Sequence, residues 1–224
     1  MNMAETPPEV TIVIPQYNEV DLTVEAIESI RWHEPVAWPI VVVDNGSTPQ
    51  SIRRLCSLSF PQVTIRVLPR AGLTAAWNLA ARHVTTETII FLNNDIIATG
   101  PWVERLISPV RHGTSPVAAP EVRTESLVSP PVELPTGWCF AVRRSAWDAT
   151  GGFDEALALY FSDTDLLLRI RQRCPAHPWT IVSGLPLTHL AHRTAHRLPD
   201  RKQYWLSDRE RFLARWRRGT SHDA

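Results

Sequence analysis

The sequence predicts an α/β domain with a mostly parallel central sheet flanked by helices and followed by a C-terminal amphipathic helix. Two observations carry that prediction. Four β-branched runs recur in the first hundred residues, and helix-like stretches separate them. Alternation of this kind with short connections builds βαβ units, and parallel strands buried on both faces read as continuous apolar runs.

The runs are residues 10–14, 40–43, 63–68 and 88–92. Asp21 is placed to cap a first helix carrying Leu22, Val24, Ala26, Ile27 and Ile30, which must end before Pro35. Residues 51–58 predict a short second helix. Residues 71–83 predict a third, with Leu73, Ala76, Leu79 and Ala80 facing inward. Residues 113–135 hold Pro116, Pro120, Pro130, Pro131 and Pro135, so strands there should be short and edge-like. Further on, residues 137–142 read as a strand, 162–173 as a helix and 179–182 as a short strand. Residues 200–218 read as the terminal helix, with Trp205, Phe212, Leu213 and Trp216 on its apolar side.

The length of 224 residues suits one core, so residues 1–224 read as a single domain. Its first half (about 10–100) would bind a nucleotide and its second (about 101–218) an acceptor. Zero formal net charge disfavours a nucleic-acid partner. Residues 193–218 nevertheless carry nine Arg or Lys against three acids, a pattern of either a solvated helix face or contact with an anionic surface. Three widely spaced cysteines, no apolar run of membrane-spanning length and no signal-like N-terminus predict a cytoplasmic protein.

On parallel sheets ligands bind beyond the carboxyl ends of the strands. Those ends are residues 15–19, 44–48, 69–72 and 93–95, all polar or turn-forming. Asn93-Asn94-Asp95 offers a carboxylate flanked by amides with no Cys or His adjacent in sequence, a hard oxygen site suited to Mg²⁺ or Mn²⁺; equally, Asn-Asn-Asp makes a good turn. Asp44 could accept hydrogen bonds from a base or ribose, or simply cap the next helix. No Gly-x-Gly-x-x-Gly and no P-loop motif is present. Ser162 with Asp165 resembles a capping box, which leaves Asp163 in the first turn, where the helix dipole favours its ionised form. An ionised carboxylate within reach of a substrate hydroxyl is what general-base catalysis needs. Trp138 is placed to be exposed near the site and to stack on a sugar, or else to pack. His189, His192 and His196 are spaced to share a helix face, but Gly184 and Pro186 upstream argue against a zinc site there.

Taken in order, six segments resemble family 2 glycosyltransferases of the GT-A fold. They are Val10-Thr-Ile-Val-Ile-Pro-Gln-Tyr-Asn-Glu19, Val41-Val-Val-Asp-Asn-Gly-Ser-Thr48, Gly72-Leu-Thr-Ala-Ala-Trp-Asn78, Phe91-Leu-Asn-Asn-Asp95, Gly151-Gly-Phe-Asp-Glu155 and Tyr160-Phe-Ser-Asp-Thr-Asp-Leu-Leu-Leu-Arg169. The likeness runs from about residue 10 to residue 218 and is strongest toward the rhamnosyltransferase-type branch of bacterial surface polysaccharide synthesis. It implies that Pro15, Gln16, Tyr17, Asn18 and Glu19 line the nucleotide pocket. Asp44 would read the base with Asn45 beside it, and Arg70 would lie near the donor. The helix start between Gly72 and Asn78 would offer backbone donors to the phosphates. Asn93 and Asn94 fall on the first two positions of the Asp-x-Asp-like motif and Asp95 on the last, the metal ligand. Asp163 falls on the catalytic base of inverting members, with Ser162 and Trp138 toward the acceptor. His189, or His192 in another register, would complete the metal shell. Two departures stand out: Asn93 replaces the usual Asp, and Ser162 replaces a usual Glu.

The expectation is therefore a metal-dependent, inverting transfer from a UDP-, dTDP- or GDP-linked sugar to a glycan or lipid-linked acceptor. Peripheral contact with the inner membrane face would come through the basic terminal helix. Two alternatives are a sugar-phosphate nucleotidyltransferase, which should show a Gly-rich basic loop where this chain has Pro-Gln-Tyr-Asn-Glu, and a non-catalytic nucleotide-sugar binding module.

Overall fold

In the computed structural model, residues 9–190 and 200–216 are described. A seven-stranded sheet runs in the order β10-β6-β9-β4-β1-β2-β3. Its strands are β1 (Val10–Gln16), β2 (Ile40–Asn45), β3 (Val63–Leu68), β4 (Thr88–Leu92), β6 (Val117–Ala119), β9 (Cys139–Arg143) and β10 (Thr180–Ile181). All run parallel except β9, which pairs antiparallel with both β4 and β6. The four strands expected in the first half are all present, and β3 and β4 have the predicted bounds.

Burial on both faces explains the continuous apolar runs. Every residue of β1 and β4 is buried, and full burial of one such aliphatic side chain contributes roughly 2 kcal/mol. Ile12 and Ile14 point to one face, where helices α1 (Val20–His33) and α4 (Val103–Arg111) supply Ala26, Ile27, Ile30, Leu106 and Ile107. Val13 and Phe91 point to the other face, toward α3 (Leu73–His83), α5 (Arg144–Thr150), α6 (Ser162–Arg173) and the C-terminal helix α7 (Arg201–Trp216). The result is a three-layer α/β/α domain. β3 departs from the expectation: as the edge strand it has only half-buried and exposed positions.

Several local expectations are corrected. Asp21 does not cap α1, which starts one residue earlier at Val20; it lies in the first turn and pairs with Arg54 of α2 (Pro49–Cys56). That helix begins before Ser51 because Thr48 caps it, accepting from the Ser51 N–H, and Pro49 suits the first turn. No capping box forms at α6. Phe161, with φ 61°, occupies the cap position, while Ser162 is already helical. On α7, Phe212 and Leu213 are buried and Trp216 packs near Phe212, but Trp205 is 42% exposed and faces solvent.

Two small ribbons complete the fold. One pairs β5 (Ile96–Ala98) with β11 (Leu187–His189), and the other pairs β7 (Val122–Glu125) with β8 (Val132–Pro135); both are antiparallel. The short edge-like strands expected among the prolines are β7 and β8, whereas β6 lies inside the sheet. Among the described residues, no helix is long and apolar enough to cross a membrane.

Candidate active site

A cleft with about 730 Å³ of free space, open to solvent, lies at the carboxyl ends of the parallel strands. Each of the four strand ends singled out in the sequence contributes to its wall. Pro15 and Gln16 end β1 and Tyr17 follows it, Asn45 ends β2, Arg70 and Gly72 follow β3, and Asn93, Asn94 and Asp95 follow β4. The remaining wall comes from Leu73, Ala158, Leu159 and Tyr204.

Asp44 sits behind this wall, fully buried. Its Oδ2 accepts from Gln16 Nε2 at 2.9 Å and from the Ser47 hydroxyl, and its Oδ1 accepts from the Ser47 N–H at 2.9 Å. These bonds orient Gln16, which lines the cleft, and brace the β2–α2 turn. The Ser47 hydroxyl in turn accepts from the Asn18 N–H (2.8 Å), and Asn18 Oδ1 accepts from the Thr48 N–H (2.8 Å). Asn18 therefore locks the loops after β1 and β2 together, outside the cleft lining, and its left-handed φ of 58° belongs to that turn. Glu19 occupies the cap position of α1, also outside the lining.

On one side of the cleft, Arg70 Nη1 donates to the Tyr17 hydroxyl at 3.0 Å, and its guanidinium lies 5.0 Å from the Tyr17 ring centroid. Asn45 Oδ1 accepts from the Ala71 N–H at 3.0 Å and fixes the approach to α3. Gly72 has φ 99°, and a Cβ there would come 2.8 Å from the Ala158 carbonyl oxygen, so only glycine fits this corner. Asn78 lies outside the cleft lining. It is buried, donates to the Phe153 carbonyl and Glu155, and accepts from the Phe153 N–H, which ties α3 to the loop after α5.

Strand register assembles the opposite end. His189 pairs with Ile96 across the β11–β5 ribbon, and the Leu190 N–H donates to the Asp95 carbonyl at 2.8 Å. This brings His189 Nε2 to 3.1 Å from Asp95 Oδ1 and 3.5 Å from Asn93 Nδ2. Asn94 is buried and donates to the Thr23 hydroxyl at 3.1 Å, so it anchors the turn to α1. Because β9 runs antiparallel to β4, its start is delivered to the same place: the Trp138 carbonyl accepts from the Asn93 N–H at 2.8 Å. Trp138 is buried rather than exposed. Its ring stacks on His189 (centroids 5.1 Å apart, planes 9° apart), and its Nε1 donates to Glu121.

Gly137, just before Trp138, is in contact with Asp163; a Cβ at this position would collide with the Asp163 carboxylate. Asp163 therefore lies one residue from the tryptophan that packs on His189. Arg123 of β7 faces it, with Nη2 3.4 Å from Asp163 Oδ2 and on the Thr164 hydroxyl, and Nη1 2.9 Å from Glu125. Burial works against the Arg123 charge, but Asp163 and Glu125 outweigh it and raise its pKa above the ordinary guanidinium value. Ser162 is buried beside Asp163 at the helix start. Sequence reasoning missed Arg123 because the contact spans 40 residues and depends on the β7–β8 hairpin.

Asp95 and His189 give a carboxylate oxygen and an imidazole nitrogen at one point. Among the described residues no three His, Cys, Asp or Glu side chains gather as a metal cluster. One carboxylate and one imidazole, with phosphate and water filling the other positions, fit Mn²⁺ better than Mg²⁺, which prefers an all-oxygen shell. His192 and His196, and with them the alternative register and the three-His zinc arrangement, lie outside the described residues.

Similarity to known proteins agrees with this geometry. The fold matches a mannosyltransferase of Pyrobaculum calidifontis in complex with GDP-Man and Mn²⁺, with TM-score 0.66 and 19% identity over 94% of this chain and 65% of that one. An O-antigen biosynthesis protein of Myxococcus xanthus, RfbC, is 25% identical over 89% of this chain and 19% of its own length. An N-acetylglucosaminyl-diphospho-decaprenol L-rhamnosyltransferase of Mycobacterium tuberculosis is 34% identical over 39% of this chain and 31% of its own. The chain thus spans less than a third of either curated relative. Residues 11–163, from β1 to the Asp163 carboxylate, match the family model described as Glycosyl transferase family 2, and the chain belongs to that family.

Proposed function

We propose that this protein is an inverting glycosyltransferase that moves a sugar from a nucleoside-diphosphate sugar to a hydroxyl of a glycan or lipid-linked acceptor in bacterial surface polysaccharide synthesis. One observation carries this reading. Asp95 with His189 at the cleft, and Asp163 beyond them, are linked through the Gly137–Trp138 segment, so a phosphate-binding end and a candidate base share one edge of the sheet. The names of the Myxococcus and Mycobacterium relatives support the acceptor class.

In the proposed reaction Asp163 takes the proton of an acceptor hydroxyl as that oxygen bonds to the anomeric carbon. The bond from that carbon to the diphosphate breaks on the opposite face, which inverts the configuration. Asp95 and His189 would hold a divalent ion, which when bound supplies positive charge at the diphosphate. Tyr17 and Arg70 flank the nucleotide side of the cleft, and Arg123 keeps the Asp163 carboxylate turned toward Gly137.

Thermal-shift screening of UDP-, dTDP- and GDP-linked sugars with Mn²⁺ tests the donor reading, because a ligand that binds the native state raises its apparent stability. One nucleotide class should raise the melting temperature, and NMR of the product from that donor should show an inverted anomeric centre. A retained anomer removes Asp163 as the sole base. Binding without turnover across acceptors favours the non-catalytic module.

A further inference from the structure

Part of the cleft wall lies outside the family-matching segment. Tyr204 lines the cleft from α7, more than forty residues beyond the end of that match at residue 163. Asp200, just before the same helix, has its Oδ2 4.0 Å from Arg70 Nη2, the arginine bonded to Tyr17.

The attachment of α7 is built around a fully buried carboxylate. Asp208 accepts from three consecutive backbone N–H groups, those of Ala158 (3.2 Å), Leu159 (2.9 Å) and Tyr160 (2.9 Å). Ala158 and Leu159 are themselves cleft residues. The same loop is gripped from its other side by α3: the Thr74 N–H donates to the Ala158 carbonyl, and the Thr74 hydroxyl to the Leu157 carbonyl. Charge-assisted bonds of this kind are roughly twice as strong as neutral ones, so they hold the loop to one geometry. Below it, Phe161 stacks on Phe212 at 5.1 Å, and Arg211 donates to the Ala156 carbonyl.

We propose that Tyr204 contacts the nucleotide sugar directly and that Asp208 is the positioning residue that fixes the 158–160 loop and α7 as one wall of the donor cleft. The α7 half of this wall, which the family match does not cover, sets donor affinity and selection together with that loop. The inference rests on the donor reading above.

Isothermal titration of the full chain with UDP, dTDP and GDP in Mn²⁺ identifies the nucleotide that the wild type binds. For that nucleotide, Tyr204→Ala should raise Kd about tenfold, the scale of one lost aromatic contact. Tyr204→Phe should stay closer to wild type, and Gln203→Ala, exposed on the same helix, should match it. Asp208→Asn places an amide NH₂ against at least one backbone N–H and should raise donor KM about tenfold with kcat unchanged. Hydrogen exchange on the wild type gives a readout independent of variant folding: the nucleotide should slow exchange at Ala158, Leu159 and Tyr160 and across residues 201–207. Wild-type affinity in Tyr204→Ala, or exchange in those segments that ignores the nucleotide, overturns this inference while leaving the donor reading intact. No binding of any nucleotide by the wild type overturns both.

Discussion

At the scale of single residues, the contacts of Asp163 separate its proposed role from that of its neighbours. Its carboxylate is partly buried, pressed on Gly137 and faced by Arg123, whereas Asp165, two residues on, is fully buried and turned toward α7. Asp163→Asn removes the base but keeps the shape, so kcat should fall on the order of 10²-fold or more with donor binding retained; near-normal turnover would exclude Asp163. Asp95→Asn should raise the Mn²⁺ concentration needed for activity and lower kcat, and excess EDTA should abolish transfer by the wild type. Undiminished transfer in EDTA would remove the metal role. Asp95 was legible in the sequence because a carboxylate after a buried strand is a hard-oxygen site wherever the strand ends. Asp44 was legible as a site neighbour but not as a buried bracket, because whether an acid at a strand end faces ligand or backbone depends on Gln16 and Ser47, 28 and 3 residues away.

At the scale of elements, the pairing of His189 with Asp95 follows from strand register across β5 and β11, each three residues long. Runs that short carry no periodicity, so their pairing could not be read, although both partners of the contact could. The start of α6 shows the converse. Ser162 and Asp165 fit a local capping pattern, yet Asp165 accepts from Arg169 (2.8 Å), Arg215 (2.8 Å) and the Trp216 indole (3.0 Å), the last two lying 50 and 51 residues later. A local pattern cannot see so distant a claim on a side chain. Asp165→Leu leaves Arg169 without its carboxylate and Trp216 without an acceptor. It should destabilise the fold by about 3 kcal/mol, the low end for breaking a buried pair because Arg215 is 46% exposed. Urea unfolding should show the loss as a lowered midpoint at unchanged slope. A midpoint within error of wild type would mean that α7 is held without the Asp165 carboxylate.

At the scale of the whole molecule, the sheet and the strand-end cleft follow from the apolar runs, but the role of the terminal helix does not. Its composition suggested a basic, amphipathic surface element. Its buried side instead carries Asp208, Phe212 and Leu213 into the fold, leaving Trp205 (42%) and Leu206 (53%) exposed together, with Arg209 5.5 Å from the Trp205 ring. Deleting the helix is therefore a poor test of membrane contact, since it would also remove Tyr204 from the cleft wall. The clean variant is Trp205→Ser with Leu206→Ser, which alters only solvent-facing positions. If α7 holds the protein at a lipid surface, the wild type should partition onto vesicles containing anionic lipid, more strongly at low salt, because apolar insertion and basic charge act together. The double variant should bind those vesicles at least about tenfold more weakly, given the apolar area removed, while its affinity for the donor nucleotide stays at the wild-type value. Equal partitioning of the two proteins would assign Trp205 and Leu206 to solvent and leave the lipid-linked acceptor to be recognised within the cleft.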